Sequence, residues 1–392
     1  MIRLLADENI VGLEQLPEDE VEVHVVSGRD LSPARLQGFD ALWVRSVSRV
    51  DEALIAGSTL RFIGTATAGL EHIDQQALAK QGIAFAAAPG ANANAVVEYV
   101  LAALAELREP WERLEQGGTL GIVGYGAVGR LLAGFAGAMG WNVLVSDPFL
   151  ARSQSDALGP VDSRVVPSPE FCPLEDILDC CVISLHCSLH RQQPWPSHHL
   201  LGAQALSQLN SRQWLINAAR GPVVDNRALL EHLSANDPVN CVLDVWEDEP
   251  AFAAALLGRP TLRLTTPHIA GYSWDAKWQA TCMLYSSLRD AGLVKAGLGC
   301  PPGASSALQA VSGEGLEAAR ALIGQRYRID QDNARFRTLA QLPDAERSSG
   351  FDRLRRDYPQ RRELRGSVLQ PSHGLLSPTL YILLGALGID RA

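Results

Sequence analysis

Short apolar runs separated by polar or alanine-rich stretches set the layout of this chain. Residues 2–6, 21–26, 41–44, 61–63 and 83–87 have the length and make-up of strands. Residues 31–37, 51–56 and 75–80 lie between them and read as helices. Strand and helix in alternation predict a parallel sheet covered on both faces. Residues 91–116 follow as a longer alanine-rich helical segment, which Pro110 should kink or end because it has no N–H to donate.

A second, better marked unit of this kind begins at Thr119. Residues 120–123 predict a strand, 127–139 a helix and 142–146 a second strand. Further strands are expected at 182–186, 214–217, 241–244 and 262–265. Residues 192–197, with two prolines and a tryptophan, read as a surface loop. Residues 274–295 are helical in pattern, and the Gly/Pro/Ser-rich stretch 297–306 reads as a linker to a third unit.

At 392 residues the chain suits two or three domains with substantial cores. Its formal net charge of -10 argues against general affinity for nucleic acid or an anionic membrane. The charge is uneven, however. Residues 291–392 hold 14 Lys+Arg against 10 Asp+Glu, so the tail is mildly basic. Six arginines (Arg353, Arg355, Arg356, Arg361, Arg362 and Arg365) crowd around Pro359 as the densest local supply of positive charge. Seven cysteines without Cys-x-x-Cys spacing make a poor disulfide framework and a poor zinc site. With acids near the start and no apolar run approaching ~18 residues, the expectation is a cytoplasmic chain with no membrane span.

The candidate chemistry begins at Gly124-Tyr-Gly126-Ala-Val-Gly129, which sits after an apolar strand and opens a helix. In that context Gly124 permits the tight turn, Gly126 lets backbone approach a pyrophosphate, and Gly129 permits close helix–strand packing. The N–H groups of Ala127 and Val128 lie at the positive helix end, open to phosphate. Asp147, about 20 residues on, can accept hydrogen bonds from the adenosine ribose and would repel a 2′-phosphate, which favours NAD over NADP.

Three further residues follow in order. Arg220 and His268 come just past predicted strands, where ligands of parallel sheets bind, and Glu249 lies between them. Arginine can fork onto a carboxylate, histidine can take a hydroxyl proton, and glutamate can orient the imidazole. Beside a nicotinamide, that set is what hydride transfer from a 2-hydroxy acid requires. The other histidines read as structural. His186 should satisfy backbone at a strand end, and the side chains of His198 and His199 should diverge, so no metal is expected. Cys187 reads as a small side chain lining the nicotinamide cleft.

At these residues the chain resembles the D-isomer-specific 2-hydroxyacid dehydrogenases. More particular matches are Ala6-Asp-Glu-Asn9, Val44-Arg-Ser-Val47, Gly64-Thr-Ala-Thr-Ala-Gly69, Val96-Val-Glu-Tyr-Val100, Val242-Leu-Asp-Val-Trp-Glu247, His268-Ile-Ala-Gly-Tyr272, Phe351-Asp-Arg-Leu-Arg355 and Arg361-Arg-Glu363. The last two fall in an extension that most of the family lacks.

The resemblance implies an α/β fold of two doubly wound parallel-sheet domains with a C-terminal α+β dimerisation domain. The substrate or lid domain, flavodoxin-like, would take residues 1–98 and 269–293. The Rossmann NAD domain would take 99–268, and the dimerisation domain 294–392. It implies a phosphorylated 2-hydroxy acid as substrate, NAD as cofactor and a homodimer. Arg220, Glu249 and His268 match catalytic positions, and Ser46, Thr67 and Tyr272 match substrate contacts. Asp147, Cys187, Ala218, Ala219, Arg220, Asp244 and Gly271 match cofactor positions. Cys187-Ser188 stands where relatives usually have Thr-Pro, and Ala219 where a close relative has cysteine. Two alternatives stay open: a family member acting on 3-phosphoglycerate or hydroxypyruvate, and an NAD-sensing corepressor-like binding protein.

Overall fold

Alternation along each strand decides which core a residue joins. The computed structural model describes residues 1–152, 170–299, 307–311, 313–370 and 377–391, and it divides into two compact units. Unit 1 is Met1–Ala93 with Tyr272–Ala304. Its strands are β1 (Ile2–Asp7), β2 (Val21–Val26), β3 (Ala41–Val44), β4 (Phe62–Thr65) and β5 (Ala84–Ala87), paired in parallel in the order β2-β1-β3-β4-β5. Leu4, Ala6, Trp43 and Phe62 share one apolar cluster with Leu284, Tyr285 and Leu288 of the helix Trp274–Asp290. Their neighbours Leu5, Leu42, Val44 and Ile63 join a second cluster with Ile55 and Leu78. Successive side chains point to opposite faces and both faces are covered, so the strands read as unbroken apolar runs.

Unit 2 is Asn94–Gly271 with Ser305–Ala392. Its strands are β6 (Thr119–Val123), β7 (Asn142–Ser146), β8 (Val182–Leu185), β9 (Trp214–Asn217), β10 (Asn240–Leu243) and β11 (Leu262–Thr265). All pairs are parallel, in the order β11-β10-β9-β8-β6-β7. The winding reverses between β6 and β8, and that reversal opens a crevice at the carboxyl ends of those two strands.

The C-terminal segment shares the cores of this second sheet. Leu316, Leu322, Leu380 and Leu384 lie in one cluster with Val100 and Leu104 of the helix Ala93–Leu107 and Leu132 of the helix Ala127–Ala138. Phe336 and Phe351 lie in the cluster on the other face with Leu215, Leu243 and Trp246. Three two-residue strands, β12 (Ala307–Leu308), β13 (Val368–Leu369) and β14 (Asp390–Arg391), add a small parallel sheet.

Several elements depart from the sequence reading. Residues 31–37 hold only a 3₁₀ turn, Pro33–Leu36. The segment 91–116 is two helices, Ala93–Leu107 and Glu109–Glu115, parted at Arg108 by a φ of 62°. Pro110 stands in the first turn of the second helix, where its missing N–H has no partner to lose, so it starts a helix rather than ending one. The expected helix 274–295 stops at Asp290. Of the expected linker 297–306, residues 300–306 lie outside the described residues. No helix among the described residues is long and apolar enough to cross a membrane.

Candidate active site

The three fingerprint glycines meet three different surroundings. Gly124 has a φ of +91°, and a Cβ there would lie 2.6 Å from the Cys187 nitrogen, so only glycine fits where β6 turns beside the end of β8. A Cβ on Gly129 would lie 2.1 Å from the Gly124 carbonyl oxygen. A Cβ on Gly126 would meet nothing within 4 Å. Gly126 caps the helix that Ala127 and Val128 begin, so its open side faces the space where a phosphate can meet free N–H groups.

Beside it is a cavity of about 980 Å³ lined by Gly124, Gly126, Asp147, Phe149, Cys187 and Trp195, among others. Asp147 is held by the Tyr125 N–H (2.9 Å) on one oxygen and the Leu150 N–H (3.1 Å) on the other, which fixes its carboxylate at the rim. Trp195 brings the 192–197 loop onto Phe149, with ring centroids 5.2 Å apart. Burial pushes the Cys187 thiol up to about 12, so it stays protonated and does not act as a nucleophile. These residues fit a dinucleotide: an open glycine cradle, a helix end and a fixed ribose acceptor share one crevice.

At the carboxyl ends of β10 and β11, His268 Nδ1 and Glu249 Oε2 are 2.7 Å apart. Glu249 Oε1 accepts the Trp246 N–H at 2.7 Å, so the carboxylate is fixed by its own turn. Burial alone would raise its pKa. The His268 charge and hydrogen bond, the Trp246 N–H and the Arg355 charge outweigh burial and hold it below the ordinary value. With Nδ1–H donating to Glu249, the Nε2 lone pair of His268 is left to accept a proton.

His268 itself has a left-handed φ of 58°. Asp244, 1% exposed, takes the Thr266 hydroxyl (2.7 Å) and the N–H groups of Ile269 (2.8 Å) and Ala270 (2.9 Å). That carboxylate therefore organises the loop that carries His268. Tyr99 and Trp246 bind the same loop through Thr266.

Arg220 begins the turn Gly221–Val223, and the buried side chain of Asn217 binds the Ala219 N–H (3.1 Å) and the Arg220 carbonyl (3.0 Å). Ala218 and Ala219 line this strand end and are nearly buried. A Cβ on Gly221 would lie 1.9 Å from the Trp246 carbonyl oxygen, so the Arg220 turn rests directly on the turn that holds Glu249. Gly271 closes unit 2 just past the His268 loop.

In unit 1, Arg45 and Ser46 follow β3 and Thr67 follows β4, at the carboxyl end of that sheet. The Thr67 hydroxyl contacts Thr65 and donates to the Gly69 carbonyl, both at 2.8 Å. Two cations flank Tyr272: Arg45 reaches its hydroxyl at 3.5 Å and Lys277 lies 4.7 Å from its ring centroid.

A family model described as D-isomer specific 2-hydroxyacid dehydrogenase, NAD binding domain, matches residues 105–270. A second, described as a domain of unknown function (DUF3410), matches residues 301–388. The chain is 42% identical to an erythronate-4-phosphate dehydrogenase of Marinobacter nauticus, over 92% of each. It is 40% identical to proteins of that name from Cellvibrio japonicus, over 92% of this chain and 93% of the relative, and Pseudomonas putida, over 98% of each. The chain belongs to the D-isomer-specific 2-hydroxyacid dehydrogenases. NAD is its cofactor. A glyoxylate reductase structure from Paecilomyes thermophila has the same fold, with a TM-score of 0.59 at 22% identity, covering 76% of this chain and 97% of that one. So does an Aquifex aeolicus D-lactate dehydrogenase structure complexed with NAD and lactic acid, with a TM-score of 0.57 at 20% identity, covering 76% and 99%.

Within this dehydrogenase the structure revises two sequence readings. The rings of His198 and His199 do not diverge: they lie 4.0 Å apart at 31°, because His199 has a left-handed φ of 53°. With Glu247 they bring ligand-type atoms within 4.8 Å of one another. His199 Nε2 is 2.6 Å from Glu247 Oε1, while Glu247 Oε2 accepts the Asn226 N–H. His186 bonds the Ser184 hydroxyl at 2.8 Å rather than backbone, and burial pushes its pKa down to about 3, so it is neutral. Asn217 is not legible in sequence, where a single Asn before Ala-Ala-Arg carries no signal of what it will bond. Asp244, which the resemblance places among the cofactor positions, also organises the His268 loop.

Proposed function

We propose that this chain oxidises 4-phospho-D-erythronate to 2-oxo-3-hydroxy-4-phosphobutanoate with NAD, a step of vitamin B6 synthesis, as a cytoplasmic homodimer. The observation that carries the proposal is the His268–Glu249 pair at 2.7 Å, next to the Arg220 turn, in a chain closely similar to erythronate-4-phosphate dehydrogenases. Bound NAD supplies the acceptor for the hydride from C2. Arg220 forks onto the substrate carboxylate. His268 Nε2 takes the C2 hydroxyl proton, and Glu249 stabilises the imidazolium that results. Ser46, Thr67 and Tyr272 contact the substrate, and Arg45 and Lys277 supply positive charge beside Tyr272 for its phosphate. Asp147 and the Gly124–Gly129 turn hold the dinucleotide.

The C-terminal segment serves as the dimerisation domain in this reading. Its last helix, Pro378–Leu387, buries Leu380, Leu383, Leu384 and Leu387 yet leaves Tyr381 (56%) and Ile382 (47%) exposed. The helix Ala127–Ala138, against which it packs, exposes Leu131. Exposed apolar side chains on adjoining helices suit a self-complementary contact.

NADH formation measured with 4-phosphoerythronate, 3-phosphoglycerate and hydroxypyruvate tests the substrate. The first should show the highest kcat/KM, and His268→Asn should bind NAD but lose turnover by orders of magnitude. Preference for 3-phosphoglycerate would overturn the substrate, and near-normal turnover of the variant would overturn the acid/base role. Binding of NAD with no turnover of any hydroxy acid would favour a sensor. Light scattering checks the dimer.

A further inference from the structure

The left-handed backbone at His268 is a conformation that a non-glycine residue holds only when its surroundings enforce it. Two groups enforce it from opposite sides of one residue. Asp244 takes the N–H of Ala270, and Arg361 Nη2 donates to the carbonyl of Ala270 at 2.8 Å. With both of its backbone polar groups held, Ala270 gives the loop from His268 onward little freedom to rotate.

Arg361 is an expensive residue to place there. It is 5% exposed, and its Nε and Nη1 have no hydrogen-bond partner among the described residues. Its guanidinium lies 4.1 Å from the Tyr327 ring centroid, and Nη1 is 3.7 Å from Glu98 Oε2. Glu98 is anchored in turn by the Leu364 N–H (2.6 Å) and Asn94 (3.2 Å), and Asn94 also donates to Glu363 (2.8 Å). A buried, partly satisfied cation contributes little net stability compared with a well-packed apolar side chain. Its aim at Ala270 gives it a different use.

Other contacts from the same segment act on the same two turns. Asn333 Oδ1 accepts both the N–H and the hydroxyl of Thr265, at 3.0 Å each, just before the His268 loop. Phe336 packs on Trp246 with ring centroids 5.1 Å apart, and Trp246 is the residue whose N–H holds Glu249.

We infer that Arg361 is a positioning residue that holds His268 in line with Glu249 through the Ala270 carbonyl, so that the C-terminal segment contributes to turnover as well as to assembly. The inference rests on the proposed acid/base role of the pair. It predicts a loss in the catalytic step with cofactor binding intact.

The test uses full-length protein with Arg361→Met and Arg361→Lys. Circular dichroism checks the fold, ligand-induced fluorescence change gives NAD affinity, and steady-state kinetics give kcat and KM. A downfield proton resonance, identified by its loss in His268→Asn, reports the His268–Glu249 hydrogen bond without any substrate. Arg361→Met should keep NAD affinity within about twofold and lose about 30- to 100-fold in kcat, the scale of an ångström-sized misplacement. Its downfield resonance should shift or disappear. Arg361→Lys, which keeps one donor to Ala270, should recover at least a third of wild-type kcat and the resonance.

A kcat within threefold of wild type in Arg361→Met, or an unmoved resonance, overturns the inference. A lysine variant as impaired as the methionine one also overturns it. Should Arg361→Met fail to fold, Arg361→Ala, which also removes the donor to Ala270, takes its place under the same outcomes. If the wild-type protein oxidises no hydroxy acid, the proposed function fails, while the resonance still tests whether Arg361 orders the pair.

Discussion

Alanine at Gly129 would place a Cβ 2.1 Å from the Gly124 carbonyl oxygen and 3.3 Å from Ile122 Cγ2. Real Cβ contacts essentially never fall under 3.0 Å, so helix and strand must part by about 0.9 Å. Neither can retreat freely. Leu120 and Ile122 on β6, and Leu132 and Ala136 on the helix, are fully buried. Overpacking of this kind costs about 1–3 kcal/mol, and the better helix propensity of alanine returns at most about 1 kcal/mol. A net loss of about 1–2 kcal/mol lowers Tm by about 2–8 °C for a unit of this size.

Gly126→Ala is the matched comparison. Its φ of -76° is ordinary for alanine and the new Cβ meets no protein atom within 4 Å, so apoprotein Tm should move by less than about 2 °C. The same Cβ intrudes where backbone approaches the pyrophosphate, so NAD affinity should fall at least about tenfold. Differential scanning calorimetry with and without NAD reads both effects. The reasoning is refuted if Gly129→Ala melts like wild type, or if Gly126→Ala keeps its NAD-induced stabilisation.

Three other substitutions probe separate parts of the site. Arg220→Lys keeps the charge but loses the fork, so kcat/KM should fall at least about a hundredfold; wild-type kinetics would show that charge alone suffices. Asp147→Ala removes the ribose acceptor and the repulsive charge together, so the NAD-over-NADP ratio of kcat/KM should narrow at least about tenfold; an unchanged ratio would count against its role. Glu98→Gln tests the buried carboxylates: burial and the neighbouring Glu363 push Glu98 from 4.5 up to about 8. In that window the folded state holds a proton that the unfolded state releases, so Glu98 lowers wild-type stability as pH rises from 4.5 to 8. The glutamine variant should therefore match wild type near pH 5 and melt a few degrees higher near pH 8 in thermal scans; a pH-independent difference would reject the assignment.

Much of this dehydrogenase is determined locally, and those parts can be read from sequence alone. The phosphate cradle is one strand, one turn and one helix in succession, so Gly124, Gly126 and Gly129 declare themselves by spacing. Buried parallel strands are apolar on both faces, so nearly every strand of the two large sheets announces itself as an unbroken run. Arg220 and His268 are legible because strand ends can be found. Other features depend on which distant group arrives as a partner. The rings of His198 and His199 meet because His199 takes a left-handed backbone while its ring meets Glu247, 48 residues away. Asn217 and Asp244 hold loops through hydrogen bonds that composition cannot specify. The arginines near Pro359 look alike as a sequence, yet Arg353 and Arg356 are exposed while Arg361 is buried on a carbonyl 91 residues away. A side chain's type sets which bonds it is able to make, and only the folded chain decides whether water or a particular backbone group supplies the partner.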